Sequence, residues 1–423
     1  TQIPKVVGLA REYELGGNTV YQNAAESFWR HVVEDRSFAT GGHGESEHFF
    51  PPKEFPQRLT PYTCETCNSY NMLKLTSHLF AWSPEEKRAR QMDFVERTLI
   101  NHLAANIGHE PGEYGYFLGL ESVAVKVFST PCDSWWCCVG TGLENPTRYA
   151  EQIYFEDEDA VWVNLYAGSE LQSASGGFTL CQETRFPEVD QVRLSIHCDA
   201  PVDFKLKLRH PEWCAKLELT LNGEPWECDS QPSSYVEISR EWSDGDRLAM
   251  RLPMKLRVEP LPHSDRKQLA VLFGPMLLAA VVPPDPDQVD PGKDRFGDHL
   301  YARGKTDEFP PLFVTASEEQ LLAGLKPTEV FGEFRSQGVI APDDLRLVPL
   351  HKIYEEHYAV YLPRLTPQEW REREAELRAA QARETELAAA TLDRVQPGQQ
   401  QPEIDHACEG KETETRLMHH HHG

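Results

Sequence analysis

The chain has 423 residues, enough for two or three domains with substantial apolar cores. Its 42 Lys and Arg residues stand against 67 Asp and Glu residues, which gives a formal net charge of −25. Binding to nucleic acids and anionic membrane surfaces depends on clustered Lys and Arg side chains, so this charge argues against both as partners. Ten cysteines are too few for a disulfide-dense framework in a chain of this length. Their uneven clustering indicates metal or thiol chemistry for some of them.

Residues 1 to about 155 have the periodicity of amphipathic helices. Ile3, Val6 and Ala10 lie on one face of a first helix, which we expect to end at Gly16 and Gly17. The same pattern predicts four more helices, around 21–33, 72–80, 94–103 and 143–154. The first helix is already under way at Thr1, so we expect the chain to begin inside a longer protein.

From about residue 156 the apolar period changes to two, as in 160–167 and 202–209, and Asn222-Gly223 is a strong hairpin signal. We therefore expect a β-sandwich over 156–285. The apolar stretch 269–282 is too short to span a bilayer and contains glycine and proline, so it predicts buried strands rather than a membrane span.

The last part of the chain, 286–423, is predicted to be a second β-rich region. Pro- and Asp-rich sequence follows Pro283, a strand candidate lies at 358–362, and an Ala-, Glu- and Arg-rich segment near 367–391 predicts a surface helix. Four histidines at 419–422 fit either a purification tag or a natural sequence. The fold class is thus α + β and multidomain.

Two short segments of the helical half could together hold one metal ion. Glu65 and Cys67 in one segment, with Cys137 and Cys138 in the other, supply the four ligands of a tetrahedral zinc site. Cys67 stands where a helix begins, and the helix N-terminus favours a thiolate there. Spacing alone leaves Cys64 and Cys132 open as alternative ligands. For either pair taken alone, the alternative is that its cysteines are buried small apolar residues. Cys137 and Cys138 are predicted to lie in a loop that Gly140 and Gly142 loosen.

A glycine-rich loop precedes the first of these segments and carries Glu45, Glu47, His43 and His48. A carboxylic acid in such a loop, close to a thiolate centre, could act as a general acid. Glutamates that simply face water are the alternative.

Three motifs together resemble the zinc-dependent β-L-arabinofuranosidases of glycoside hydrolase families 127 and 146. They read Gly-Gly-His-Gly-Glu-Ser-Glu-His-Phe-Phe, Glu-Thr-Cys-Asn-Ser-Tyr-Asn-Met-Leu and Trp-Cys-Cys-Val-Gly-Thr-Gly-Leu-Glu-Asn. The resemblance implies part of an (α/α)6 catalytic barrel over 1–155, followed by β-sandwich domains. The family's early barrel helices are absent, so we expect this polypeptide to be a fragment that is unstable or inactive alone.

The resemblance also implies roles for particular residues. The zinc ligands fall on Glu65, Cys67, Cys137 and Cys138. Cys137 becomes the nucleophile and Glu47 the acid/base in a retaining mechanism that releases terminal arabinose. Positions that contact the bound sugar are Glu96, Tyr116 and His48. The implied partner is an arabinose-containing glycan or glycoconjugate.

Two other functions compete with this one. A carbohydrate-binding protein with a purely structural zinc site would use the same four ligands. A thiol redox protein fits less well, because Cys64 and Cys67 lack a neighbouring βαβ pattern.

Overall fold

The computed structural model describes residues 2–283 and 310–392. The chain divides into two compact units, Thr1–Glu369 and Trp370–Gly423. Helices dominate the first 153 residues: α1 Gln2–Gly16, α2 Thr19–Asp35, α3 Thr66–Trp82, α4 Glu85–Thr98 and α5 Cys137–Ile153. A π-helical turn, Leu99–Leu103, continues α4. Two more helices follow later, α6 Glu318–Ala323 and α7 Pro367–Leu392.

Apolar stripes on α1 to α4 explain how the helices pack. Trp29 of α2 packs edge-on against Phe94 of α4, and its indole N–H donates a 2.9 Å hydrogen bond to Thr76 of α3. Ile3 and Ala10 of α1 are buried in the same cluster. The polar bond gives the buried indole the partner that it needs. A rigid helical layer therefore supports the loops that follow α2 and precede α5.

Strands begin directly after α5. In chain order they are β1 Tyr154–Glu156, β2 Ala160–Val163, β3 Ser169–Gln172, β4 Thr179–Glu183, β5 Gln191–His197, β6 Val202–His210, β7 Glu218–Leu221, β8 Glu224–Trp226, β9 Ser234–Trp242, β10 Arg247–Arg251, β11 Leu256–Pro260, β12 Gln268–Phe273, β13 Met276–Val282, β14 Leu312–Val314, β15 Leu325–Pro327, β16 Phe334–Ser336, β17 Ile340–Ala341, β18 Arg346–Pro349, β19 His357–Ala359 and β20 Leu362–Leu365.

The first ten strands form two sheets around one core. One sheet has the order β1-β2-β6-β9, and the other has the order β3-β4-β5-β10-β7-β8. Inward residues of both sheets, such as Leu206 of β6 and Leu194 of β5, belong to the same buried cluster. The alternating burial of β5 is the pattern of a strand with one face in a core. This is the arrangement of a β-sandwich.

The remaining strands build a third sheet, which is closely tied to the helical layer. Its centre is the hairpin of β12 and β13, whose residues are almost all buried. Asn101, in the π-helical turn, donates to the Pro275 carbonyl and accepts from the Leu277 amide, both at 2.8 Å. One side chain thus satisfies two buried backbone groups at the hairpin turn.

The α + β content agrees with the sequence prediction, while the closed barrel remains a prediction. Five α-helices lie between residues 2 and 153, fewer than six helix pairs require. The prediction for 358–362 corresponds to two short strands, β19 and β20, and α7 occupies the predicted helical segment. The Pro- and Asp-rich stretch after Pro283 and the terminal histidines lie outside the described residues. No described helix has the length and apolar character needed to cross a membrane.

Candidate metal and catalytic site

The structure brings the four predicted ligands together. One ligand atom from each of Glu65, Cys67, Cys137 and Cys138 lies within 4.8 Å of every other. The Sγ of Cys138 is 3.3 Å from that of Cys67 and 3.9 Å from that of Cys137. Cys137 Sγ is 3.8 Å from Oε1 of Glu65. Within the described part of the chain, this is the one group of three or more such side chains that could hold a metal ion.

Two helix N-termini create this cluster. Glu65 is the N-cap residue of α3 and Cys67 lies in its first turn, as predicted. Cys137 and Cys138 open α5, so the prediction that they lie in a loop is wrong. The positive ends of both helix dipoles therefore face the sulfurs, which favours their thiolate forms.

Glycine has a packing role in α5 rather than the loosening role predicted from sequence. A Cβ at Gly142 would lie 2.4 Å from the ring of Tyr114, whereas a Cβ at Gly140 would meet nothing within 4 Å. The helix can thus approach the segment that carries Tyr114 and Tyr116 only because residue 142 has no side chain.

Crowded acidic groups dominate the electrostatics of the metal-free cluster. Burial, followed by the nearby Cys137 and Glu47, raises the pKa of the Glu65 carboxyl to about 7. Hydrogen bonds from the Cys138 and Cys67 thiols lower the pKa of Cys137, and the same bond with Cys137 raises the pKa of Cys138. Bonds among the sulfurs thus favour the ionised form of Cys137 over that of Cys138. A bound cation would relieve this crowding.

The two alternative ligands lie elsewhere. Cys64 is buried, and its Sγ is 3.5 Å from the hydroxyl of Thr40. Burial raises the pKa of the Cys64 thiol to about 12, as expected for an inert structural cysteine. Cys132 is exposed and outside the cluster.

Glu47 reaches the cluster through one hydroxyl group. The Tyr116 hydroxyl donates to Oε1 of Glu47 and lies 3.9 Å from Cys137 Sγ. Burial and the bond to Glu47 raise the pKa of Tyr116, so the phenol keeps its proton. The backbone N–H of Thr66 donates to the Tyr116 carbonyl at 2.9 Å, which ties Tyr116 to the start of α3. Glu47, Tyr116 and Cys137 therefore form a continuous chain of contacts.

Glu47 lies at the tip of a tight turn with unusual backbone geometry. Glu45 and His48 exchange two backbone hydrogen bonds of 3.0 Å. Between them Ser46 and Glu47 have φ values of 48° and 67°. This left-handed region costs a residue other than glycine on the order of 1–3 kcal/mol, and such strain is concentrated at functional sites. His48 is exposed, and its Nδ1 contacts the Ser46 carbonyl of its own turn.

Glu96, predicted to contact the sugar, occupies a different environment. Its carboxylate accepts hydrogen bonds from the buried Arg209 guanidinium and, at 2.7 Å, from the Trp213 indole. Arg209, in β6, also forms an ion pair at 2.5 Å with Asp93, which lies in α4 as Glu96 does. Glu96 is buried, and within the described residues its carboxylate bonds to Arg209 and Trp213 rather than to the metal ligands or Glu47. These contacts favour a structural role, because a buried carboxylate needs such a partner.

Two buried histidines neighbour each other at this loop: His43, which the sequence pattern singled out, and His102, which it did not. His43 stacks on Phe49 at 5.4 Å, and within the described residues neither of its ring nitrogens has a hydrogen-bond partner. Burial lowers its pKa to about 3, which keeps the ring neutral. His102 Nδ1 is 2.7 Å from the Ser69 hydroxyl. His43 stands inside one of the motifs, but nothing in that motif distinguishes a buried histidine from an exposed one.

Comparisons with known proteins identify the architecture around this site. The β-L-arabinofuranosidase GH127 catalytic domain matches residues 1–151, and the GH127 middle domain matches residues 160–254. A family of unknown function, DUF6805, matches residues 386–422, nearly all of which lie outside the described residues.

A curated relative is the non-reducing end β-L-arabinofuranosidase of Bifidobacterium longum subsp. longum, which is 25% identical over 295 residues. The match covers 64% of this chain and 44% of that protein, so the chain spans less than half of its relative's length.

Solved structures agree on the fold. A GH127 β-arabinofuranosidase matches with a TM-score of 0.64 and 22% identity, over 86% of this chain and 60% of that one. The β-L-arabinofuranosidase of Geobacillus stearothermophilus T6 matches with a TM-score of 0.63 and 20% identity, over the same shares of the two chains. The chain therefore belongs to glycoside hydrolase family 127, whose catalytic and middle domains match its first 254 residues in that order.

Proposed function

We propose that this chain carries the catalytic centre of a retaining glycosidase that releases terminal β-L-arabinofuranose. Cys137 is the nucleophile, Glu47 is the acid/base, and Glu65, Cys67, Cys137 and Cys138 hold Zn²⁺. The observation that carries the proposal is the contact chain from Glu47 through the Tyr116 hydroxyl to Cys137, which is also a member of the four-ligand cluster.

The donor set fits zinc. Sulfurs bonded at about 2.3 Å to one tetrahedral zinc ion lie roughly 3.8 Å apart. The Sγ of Cys138 lies 3.3 Å from that of Cys67 and 3.9 Å from that of Cys137, which is close to this value. Three thiolates and one carboxylate also suit zinc better than a hard cation such as Mg²⁺. When bound, the ion keeps the thiolates deprotonated and offsets their mutual repulsion.

The chain's own residues perform the proton and bond transfers. Glu47 donates a proton to the glycosidic oxygen while Cys137 Sγ attacks the anomeric carbon, which breaks the glycosidic bond and forms a carbon–sulfur bond. Glu47, now ionised, accepts a proton from water as that water attacks the same carbon. The water oxygen displaces Cys137 Sγ as it attacks, so the carbon–sulfur bond breaks, the thiolate is regenerated, and arabinose leaves with its original anomeric configuration.

Tyr116 suits both stages of this reaction. In the structure the phenol donates to Glu47 and accepts from the Cys137 thiol. When Cys137 is a thiolate and Glu47 is protonated, the same O–H can donate to the sulfur instead. It also fixes the two reacting groups on either side of a single hydroxyl. Placement of this kind supplies much of the rate advantage of an enzyme.

The substrate class follows from the relatives. A protein named non-reducing end β-L-arabinofuranosidase covers most of this chain, so we propose a terminal β-L-arabinofuranosyl unit as the group released. The net charge of −25 favours neutral glycans and glycoconjugates over anionic ones.

A carbohydrate-binding protein with a structural zinc ion is the competing function. A site closed by four protein ligands is typical of structural zinc, so the ligand set alone fits either function. Here Cys137 is exposed while Cys138 is buried, so one ligand of the cluster faces the side from which a sugar could approach. That asymmetry favours catalysis.

The test compares Cys137→Ser and Glu47→Gln with Cys132→Ser, an exposed cysteine outside the cluster. It uses a full-length version of the protein, because the chain alone is expected to be unstable or inactive. With an aryl β-L-arabinofuranoside, Cys137→Ser is expected to lose at least about 10³-fold in kcat while it keeps most of its zinc. Mass spectrometry of the wild-type chain with substrate should show an arabinosyl adduct on Cys137. Full turnover by Cys137→Ser would exclude that sulfur as the nucleophile and leave the binding protein as the better explanation.

A further inference from the structure

Glu45 has contacts that the reaction does not explain. It stands two residues before Glu47 and closes the turn that carries it. Its side chain is 11% exposed, although it sits in a surface loop. A nearly buried carboxylate in a loop requires partners, and their arrangement indicates what it does.

Three donors hold the Glu45 carboxylate. The Ser46 hydroxyl donates to Oε1 at 2.7 Å, and the Thr60 hydroxyl donates to the same oxygen at 3.2 Å. The Arg58 guanidinium donates to Oε2 at 3.1 Å. Ser46 belongs to the turn, whereas Arg58 and Thr60 belong to the segment that leads into α3. The carboxylate therefore joins the turn to the segment that also supplies the metal ligand Glu65.

Backbone hydrogen bonds reinforce the same junction. The Ser46 N–H donates to the Tyr62 carbonyl at 2.9 Å, and the Cys64 N–H donates to the Gly44 carbonyl at 3.2 Å. The turn is thus attached on both sides of Glu45. These bonds set the position of the turn's backbone. Among the described residues, the Glu45 side chain adds the link between the strained residue Ser46 and a cation, Arg58.

We propose that Glu45 is a positioning residue for proton donation by Glu47. The ion pair of Glu45 with Arg58 holds Ser46 and Glu47 in their left-handed conformation, so that the Glu47 carboxyl faces Tyr116 and Cys137. The inference rests on the proposed function, since it assigns Glu45 a part in the same reaction. Glu45 touches neither substrate nor reacting atoms in this scheme and acts only through Glu47.

The choice of leaving group isolates this role. A phenyl or alkyl β-L-arabinofuranoside needs protonation of its leaving oxygen, whereas a 2,4-dinitrophenyl arabinofuranoside departs without it. Misplacing a catalytic group by about 1 Å costs up to about 100-fold in rate. For Glu45→Gln we therefore expect kcat/KM to fall about 10-fold to 100-fold with the phenyl substrate. With the dinitrophenyl substrate it should stay within about 3-fold of wild type, because Cys137 is unaffected.

Glu54→Gln is the matched control. Glu54 is the second carboxylate on Arg58, and it accepts from Nε and, at 2.7 Å, from Nη2, whereas Glu45 accepts from Nη1. Its loss removes an ion pair of the same chemical kind but leaves the Glu45 contacts in place, so both substrates should be turned over at wild-type rates. Arg58→Met provides a second route to the same defect if Glu45→Gln folds poorly. With the phenyl substrate, the double variant Glu45→Gln/Arg58→Met should have a kcat/KM no lower than that of either single variant, because the two side chains act as one unit.

The outcomes separate this inference from the function on which it rests. If Cys137→Ser and Glu47→Gln leave both substrates turned over normally, the proposed function fails. If those two variants lose activity but Glu45→Gln matches wild type, or loses equally on both substrates, the positioning role is wrong and the proposed function stands. Zinc content and the thermal midpoint are measured on every variant. A variant that loses activity equally on both substrates because it is unfolded will also show a lower midpoint and less bound zinc.

Discussion

The Tyr116 hydroxyl lies between the proposed acid/base, Glu47, and the proposed nucleophile, Cys137, and contacts both. Tyr116→Phe removes one hydroxyl and keeps the ring that packs against Phe117 and Trp136. Hydrogen bonds to charged groups contribute about 1.5–3 kcal/mol. We therefore expect kcat/KM to fall roughly 10-fold to 100-fold, since each 1.36 kcal/mol is a factor of ten in rate.

The control for Tyr116→Phe is Tyr154→Phe. The Tyr154 hydroxyl is 2.8 Å from Ser169 in the sandwich and contacts no residue of the cluster. The Tyr154→Phe variant should therefore have the kcat and KM of the wild type. Equal kinetics for both variants would show that the Tyr116 hydroxyl takes no part in turnover.

Glu65 makes metal binding depend on pH. In the metal-free protein its pKa is raised to about 7, by burial first and then by Cys137 and Glu47. Its raised pKa means that Glu65 holds a proton below about pH 7, which the metal ion must displace. Zinc affinity is thus expected to fall as the pH drops from 7 to 5, by about tenfold per pH unit for this proton alone.

Glu65→Gln tests this linkage, because glutamine has no proton to lose. Competition with a chromophoric chelator at pH 5, 6 and 7 gives the apparent zinc Kd of each protein. Glu65→Gln should bind zinc more weakly than wild type at pH 7. Its plot of log Kd against pH should have a slope smaller in magnitude by about one, since the thiols contribute alike to both proteins. Parallel slopes would mean that Glu65 is already ionised in the metal-free site.

The four ligand residues could be proposed from sequence because they come as two local pairs, Glu65 with Cys67 and Cys137 with Cys138, although the second pair was expected in a loop rather than at the start of α5. The choice between Cys64 and Cys67 could not, since it depends on whether a sulfur faces Thr40 or Cys138. The family resemblance implied a sugar contact for Glu96, and nothing local reveals its partner Arg209, which lies 113 residues further along the chain. Contacts over such distances in sequence leave no periodic signal.

At the scale of elements, α4 and β6 are joined by a buried ion triad. Arg209 of β6 is fully buried between Asp93 and Glu96 of α4, and its Nε donates to the Asn164 carbonyl at 2.6 Å. Removing a buried cation leaves uncompensated carboxylates, which typically costs about 3–5 kcal/mol. Arg209→Met should lower the free energy of unfolding by that amount in a denaturant titration.

Arg247→Met is the control for the triad, because Arg247 lies at an exposed position of β10. Its unfolding free energy should change by no more than about 0.5 kcal/mol. Glu96→Gln adds a second criterion. If Glu96 bound substrate, Glu96→Gln would raise the KM for the arabinofuranoside without lowering the free energy of unfolding. That result would contradict a structural role for Glu96.

Helix α5 shows where element boundaries escape sequence reasoning. Its predicted start at Leu143 followed the apolar periodicity, but the helix begins six residues earlier, at Cys137. Gly140 and Gly142 count against a helix on propensity, by up to about 1 kcal/mol each. Close packing of Gly142 against Tyr114 offsets that cost, and tertiary contacts of this kind are not visible in a local pattern.

At the scale of the whole molecule, the change of apolar period near residue 155 located the change from helices to strands. It did not give the order of strands. The parallel pairing of β2 with β6 and the central place of the β12–β13 hairpin in the third sheet depend on long-range contacts. The barrel prediction came from the family resemblance, and the chain spans 60% of the solved relatives that it matches.

A metal ion in the cluster would also join distant parts of this molecule. Glu65 and Cys67 begin α3, while Cys137 and Cys138 begin α5 more than 70 residues later. A ligand that binds only the folded state stabilises it by RT ln(1 + [L]/Kd), about 4 kcal/mol when free zinc is 1,000-fold above Kd. We therefore expect a chelator to lower the thermal midpoint of the wild-type chain. Cys138→Ser should lose most of the gain that zinc provides, and Cys132→Ser should keep it. Equal midpoints with zinc and with chelator would mean that the cluster does not bind the ion in the folded chain, which would remove the basis for both the metal site and its thiolate nucleophile.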